Sequence, residues 1–443
     1  MKSLLTISLA GALYAQDLAP ALAQRVDSDR KNTGIVLGLL DENGPRVIAR
    51  GKSGTDRALD GSTVFEIGSI SKTFTGLLLA DMIERGEVKP DDPLSKYMPE
   101  GAKIPSRNGR EITLVSLSQH NSALPVWPDN VDAAALVRGV LPTPKLLDFL
   151  ARHELRRDPG EKYEYSNIGA GLLGYALARR TGKPYGELVR ERILAPLKMT
   201  SSSVAPSPDQ RPRLAAGHNA GLEPAPHSEF TETVAPAGAI LSTADDMLKF
   251  AAAQLGLVET PLRAAMARQR ETLGRGPAPG LRVGLGWIVI ESRGILWHNG
   301  MTGGFSAMLA LAPAKKKAAI ALSNTAHPVD DIGLHAVDSE LPVRKFAAPP
   351  KQITVDEKVL ETYTGEYRFA PAFAIQVTRD GARLFVQATN QPKFEVFGES
   401  PTKFFLKAVD AQVSFTKDAD GAVDGLILHQ NGRDQRAPRT RTP

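Results

Sequence analysis

Residues 64–86 read VFEIGSISKTFTGLLLADMIERG. Apolar residues at helical spacing from Lys72 to Arg85, stopped by Gly86, predict a helix. Gly68 permits a tight entry into it, Ser69 begins it, and Lys72 follows three residues later, where i and i+3 side chains share a face. A serine hydroxyl becomes a nucleophile only beside a base or cation, and a helix N-terminus favours developing negative charge. Ser69 is therefore a candidate nucleophile and Lys72 its candidate activator. The S-x-x-K tetrapeptide alone is weak evidence, since a chain this long yields roughly one or two by chance at average composition. Ser400-Pro401-Thr402-Lys403 is such a case, and its internal proline and strand-rich surroundings oppose the helical geometry.

Two further stretches carry polar residues that suit the same chemistry. In PGEKYEYSNIGAGLLG (159–174), Tyr165-Ser166-Asn167 precede a helix of small and apolar residues predicted from Gly169 to Arg180. A phenol beside an ammonium can have its pKa lowered enough to serve as a base, and an asparagine amide can hold a lysine and a substrate carbonyl. By itself the tripeptide reads as a turn and helix cap. The formal G-x-G-x-x-G at Gly169–Gly174 follows no strand, so its glycines are assigned to close helix packing rather than to a dinucleotide. In ILWHNGMTGGFSAML (295–309), His298-Asn299-Gly300 end a short strand and Gly303-Gly304 lead into the next. A glycine on an edge strand lets a substrate pair alongside, and a backbone N–H there can complete an oxyanion hole with that of Ser69. Taken singly, this is a β-turn with an exposed histidine. G-x-S-x-G is absent, and Gly51-Lys52-Ser53 lacks the first glycine of a P-loop, with Arg46 in its place.

Outward from these motifs, residues 34–51 read as a hairpin turning at Asn43-Gly44, and FSAMLALAP with AAIALSN as another across Lys315–Lys317. Trp287–Ile290 and Ile295–Trp297 add an antiparallel pair. Ser242 and Thr243 before Asp245 and Asp246 start a helix predicted over Ala244–Gln254. Strands at both ends with helices between imply one α+β domain over 16–340 whose sheet is completed by both chain ends. Leu341–Gln352, LPVRKFAAPPKQ, opens a linker over 341–355. Beyond it, seven alternating aromatic-rich segments from TGEYRF to VDGLILHQ, separated by turns such as Asp380-Gly381 and Asp420-Gly421, predict a small antiparallel barrel or sandwich over 356–443. The tail RDQRAPRTRTP reads as frayed.

Composition removes whole classes of function. With 42% hydrophobic and 23% charged residues the chain is a globular protein. The absence of cysteine excludes disulfides, thiolate metal sites, iron–sulfur clusters and a cysteine nucleophile. Eight histidines without HExxH spacing oppose a metal centre, and no cofactor is expected. A net charge of +5, spread along the chain, opposes nucleic-acid binding. Met1-Lys2 followed by the apolar run Leu4–Ala15 reads as a secretory signal over 1–15, too short to span a bilayer, so a periplasmic or secreted protein is expected.

The order S-x-x-K, Y-x-N, then H-x-G before TGGF, over roughly residues 25–340, resembles the class C β-lactamase and D-Ala-D-Ala carboxypeptidase family of serine hydrolases. FEIGSISKTFTG, DMIERGEVKPDDPLSKYMPE, LAPLKMTSSS, AGAILSTADDM and GLGW look like that family too. The resemblance implies the penicillin-recognising fold, an antiparallel sheet with helices and an all-helical region. It also implies that Ser69 is acylated, that Lys72 and Tyr165 share activation of its hydroxyl and of the deacylating water, and that Asn167 positions Lys72 and the substrate amide. The N–H groups of Ser69 and Met301 would form the oxyanion hole, with Gly300 allowing the approach. Class C β-lactamases carry lysine where this chain has His298, whereas carboxypeptidases of the family carry histidine, and neutral imidazole binds a carboxylate less strongly than an ammonium. In SLSQHNSALPVWPDN, Ala123 replaces the family's glycine, and Trp127 falls near the glutamine that binds the acylamino side chain, implying a more apolar acyl pocket. The β domain after residue 350 is absent from class C enzymes and resembles C-terminal domains of related peptidases and esterases. The expected function is acyl-enzyme hydrolysis of a β-lactam or D-Ala-D-Ala-type amide from a small-molecule or peptidoglycan-derived source. A short-chain ester hydrolase is the alternative, and a non-catalytic penicillin-binding sensor the opposing class.

Overall fold

The computed structural model describes residues 18–271, 273–346, 351–370, 373–389, 391, 393–407, 411–430 and 433–440, so the expected signal at 1–15 lies outside the described residues. The chain divides into two compact units, the first running to Lys345 without Ala220–Leu222, and the second comprising Ala220–Leu222 and the chain from Phe346. No helix among the described residues is long and apolar enough to cross a membrane.

The first unit is built on an eight-stranded antiparallel sheet. Its strands are β1 (Gly34–Asp41), β2 (Gly44–Gly51), β3 (Gly274–Arg275), β4 (Leu281–Val283), β5 (Ile288–Ile290), β6 (Ile295–Met301), β7 (Ser306–Ala312) and β8 (Lys317–Ser323). Their order is β2-β1-β8-β7-β6-β5-β4-β3, so N- and C-terminal strands of the unit meet at β1 and β8. β1 is apolar without alternation because helices cover both faces. Val36 and Leu40 pack toward helix α3 (Ala244–Gln254), while Ile35, Leu37 and Leu39 pack with Leu18, Leu22 and helix α4 (Asp330–Val337) on the other side. The hairpin turns one residue earlier than expected: Asp41 pairs with Gly44, leaving Glu42-Asn43 as the loop, and Gly44 takes φ 94° as the first residue of the returning strand.

Helices α1 (Ser71–Glu84) and α2 (Asn167–Thr181) form the centre of the helical region. Their glycines are there for close approach. A Cβ at Gly171 would lie 2.1 Å from the Thr233 carbonyl oxygen, and one at Gly174 would lie 2.3 Å from Pro236. The dinucleotide-like spacing is thus a packing feature, as expected.

The second unit is a nearly closed barrel of eight antiparallel strands in sequence order, from Gly365–Ala370 to Arg433–Pro438. The tail expected to fray is its last strand over Arg433–Pro438. A bridge between Tyr367 and Arg439 and a hydrogen bond from Thr440 N to Glu366 O bring last strand to first. Tyr363 stacks on Phe415 at 4.0 Å between ring centroids in its core. Ser400 and Lys403 close a tight turn on each other, Ser400 N donating to Lys403 O and Lys403 N to Ser400 Oγ, so that S-x-x-K is not helical.

Candidate active site

Ser69 lies in a 3₁₀ turn, Gly68–Ile70, that runs directly into α1, and Lys72 is in the first turn of that helix. The spacing brings Lys72 Nζ to 2.9 Å from Ser69 Oγ. Tertiary structure supplies the remaining partners: Asn167 Oδ1 at 2.8 Å, at the start of α2, and Ala237 O at 2.7 Å. From the segment before α2, the Tyr165 hydroxyl lies 2.7 Å from Ser69 Oγ, with Lys72 Nζ 4.9 Å from its ring centre.

With Lys72 neutral, hydrogen-bond accounting places its protons. Asn167 Oδ1 and Ala237 O only accept, so both N–H groups of a neutral Lys72 amine are committed to them. The amine lone pair is then left for the Ser69 O–H. Burial drives the Lys72 pKa well below its ordinary value, and no carboxylate is among its hydrogen-bond partners to oppose this. Lys72 is thereby prepared to accept a proton. Tyr165 behaves opposite to expectation: burial raises its pKa, and the hydrogen bond with Ser69 only partly offsets this. It is a phenol rather than a phenolate, able to donate to Ser69 Oγ.

Two glycines let the backbones meet at the nucleophile. A Cβ on Gly300 would lie 1.9 Å from Ile67 O and 3.0 Å from Ser69 N, and a Cβ on Gly68, at φ 50°, would lie 2.7 Å from Met301 N. No side chain fits at Gly300, so the end of β6 can approach the Ser69 turn closely enough for the Ser69 and Met301 amides to serve one oxyanion. Trp127, Asn167 and Met301 join Ser69 along a cleft of about 310 Å³, together with Leu136, Val137 and Phe230. Among the described residues no charged side chain lines it.

His298 is not the exposed turn residue that its tripeptide suggests. It is 3% exposed and does not line the cleft. Its Nδ1 lies 2.6 Å from Asn299 O, which only accepts, so the ring carries its proton on Nδ1 and presents Nε2 as an acceptor. Burial pushes its pKa down to about 3. A neutral ring in this tautomer cannot donate from Nε2 to a substrate carboxylate.

A family model described as Beta-lactamase matches residues 19–340. The chain belongs to the Beta-lactamase family. A second model, described as a domain of unknown function (DUF3471), matches residues 349–439. This β-lactamase-family chain is 32% identical to the D-alanyl-D-alanine-carboxypeptidase/endopeptidase AmpH of Escherichia coli, over 68% of this chain and 82% of that one. It is 25% identical to a penicillin-binding protein of Bacillus subtilis over 87% of this chain and 89% of that one. Among solved structures, a beta-lactamase/D-alanine carboxypeptidase from Yersinia pestis has a TM-score of 0.62 at 25% identity and covers 74% of this chain and 97% of that one. The fold is that of the penicillin-recognising serine hydrolases, and the chain is a serine hydrolase of this family.

Two contributors escaped the sequence reading. The Ala237 carbonyl lies within AGAILSTADDM, but a backbone acceptor leaves no mark in side-chain identity. His120 packs its ring on Tyr165 at 4.5 Å between centroids, and its letter in SLSQHNSALP was the available signal. Ala123 sits at φ 64°, in the left-handed region that glycine adopts most readily.

Proposed function

We propose that this β-lactamase-family hydrolase cleaves a β-lactam or D-Ala-D-Ala-type amide through an acyl-enzyme on Ser69. The observation that carries the reading is the single hydroxyl held at once by a desolvated amine and a protonated phenol. In this reading neutral Lys72 takes the Ser69 proton as Oγ attacks the acyl carbon. The N–H groups of Ser69 and Met301 meet the charge on the carbonyl oxygen, which makes Gly300 a requirement. Asn167 holds Lys72 and the substrate amide. The amine leaves with the proton gathered on Lys72, passed on through the Tyr165 hydroxyl. Water then attacks the Ser69 ester, Lys72 accepts its proton and returns it to Ser69 Oγ as the ester bond breaks, and the acid is released with the enzyme restored. The similarity to a D-alanyl-D-alanine carboxypeptidase supports this substrate class. The proposal includes export to the periplasm or beyond, directed by residues 1–15.

One observation favours a second reading, an ester hydrolase. The cleft is lined without charge and His298 is neutral, which suits an uncharged substrate better than one that must dock a carboxylate. A non-catalytic penicillin sensor is the reading least suited to the assembled Ser69–Lys72–Tyr165 group. Intact-mass spectrometry with a fluorescent penicillin, beside Ser69→Ala, separates the three. A long-lived adduct confined to wild type supports a carboxypeptidase, and a transient one with product release a β-lactamase. Ser69-dependent cleavage of a short-chain aryl ester without any adduct overturns the amide reading. A cellular effect that survives Ser69→Ala overturns acyl transfer altogether.

A further inference from the structure

We infer that His120 is the positioning residue for Tyr165, clamping the chain on both sides of it so that the phenol hydroxyl stays on Ser69 Oγ. The inference rests on the acyl-enzyme reading above. Three contacts converge from this one residue. Its carbonyl accepts from Glu164 N at 2.6 Å, its Nδ1 accepts from Ser166 N at 3.1 Å, and its ring lies against the Tyr165 ring at 4.5 Å and 32°. The residues before and after Tyr165 are thus held by hydrogen bonds and Tyr165 itself by ring contact. Tyr163 packs edge-on against the same imidazole at 5.7 Å. His120 is 4% exposed and stands at φ 57°, a left-handed conformation that costs energy for any side chain, three residues from the equally left-handed Ala123.

The tautomer follows from the contacts. Nδ1 can accept the Ser166 N–H only if the ring proton is on Nε2 and the ring is neutral. Burial keeps it so. The Ser166 end of the clamp is fixed in turn, since the Ser166 hydroxyl donates to Pro125 O and accepts from Gly169 N as the N-cap of α2. His120 therefore couples the 120–125 turn, the α2 cap and the phenol into one rigid piece. A group aimed at a 2.7 Å contact loses its effect when its support loosens by a fraction of that distance.

The two functions of the side chain can be removed separately. His120→Phe keeps a ring and loses the acceptor. His120→Asn keeps an acceptor where Nδ1 was, loses the ring, and tolerates positive φ, so it carries the test if the phenylalanine variant does not fold. Each is made in wild type and in Tyr165→Phe, and the rate of acylation is read by stopped flow with the substrate that acylates Ser69, alongside thermal melting. Expected in wild type is a loss of roughly 10-fold or more in acylation rate with KM little changed. In Tyr165→Phe, where no phenol remains to be aimed, the same change should cost less than about twofold. An equal loss in both backgrounds overturns the inference, since a merely structural residue would act in both. Wild-type acylation by Tyr165→Phe itself is a different failure, which removes the phenol from the proposed mechanism.

Discussion

Acid should weaken the first unit through His298. The unfolded ring takes up its proton near the ordinary 6.5, whereas the folded, buried ring resists until about pH 3. Between those values the unfolded chain binds more protons, so stability falls as pH falls through this window. At about pH 4.5 the ring is two units below its unfolded pKa and still neutral when folded, a difference worth about 2–3 kcal/mol relative to pH 7.5. His298→Asn keeps an N–H donor for Asn299 O and removes the titration. All three tryptophans, Trp127, Trp287 and Trp297, precede Lys345, so urea unfolding followed by tryptophan fluorescence reports on the first unit alone. Wild type should lose about 2–3 kcal/mol more than the variant between the two pH values. The buried His120 adds its own acid sensitivity to both proteins and cancels in the comparison. Equal losses in wild type and variant would refute the reasoning and mean that His298 is solvated or paired with a negative charge.

Other expectations follow from the same geometry. Gly300→Ala places a methyl against the Ile67 carbonyl, so the Ser69 and Met301 amides separate and kcat should drop by about 10²–10³ in steady-state assays, with a smaller loss contradicting the proposed oxyanion site. Because burial lowers the Lys72 pKa, the acid limb of kcat/KM should lie well below the ordinary lysine value of about 10.4, and a rate still climbing near pH 10 would contradict a neutral Lys72 base. Ala123→Gly relieves a left-handed backbone and should raise stability by about 0.5–1 kcal/mol in urea, whereas an unchanged or lower midpoint would show the turn to be unstrained.

Much of the fold was legible because its signals are local. The β1–β2 hairpin, the α3 start at Thr243, which accepts from Asp246 N, and seven of the eight barrel strands carry their pattern within a few residues. The last barrel strand does not: RDQRAP has no alternating apolar pattern, and it is a strand only because the barrel offers it an edge on either side. The hairpin loop was displaced by one residue because Gly44 satisfies a turn and a positive-φ strand position equally well.

The site divides along the same line. That Ser69 and Lys72 face each other was determined by the sequence itself, since i and i+3 on a helix meet wherever the helix is placed. Its glycines likewise announced a close backbone approach at Gly300. Protonation states were decided only by the tertiary structure. The Lys72 amine is a candidate base because residues 95 and 165 positions away present acceptors and no carboxylate, and because the surrounding core removes water from it. The phenol of Tyr165 departs from its sequence reading for the same reason. A pKa is set by desolvation and by charges in space, and neither quantity is written in the residues on either side.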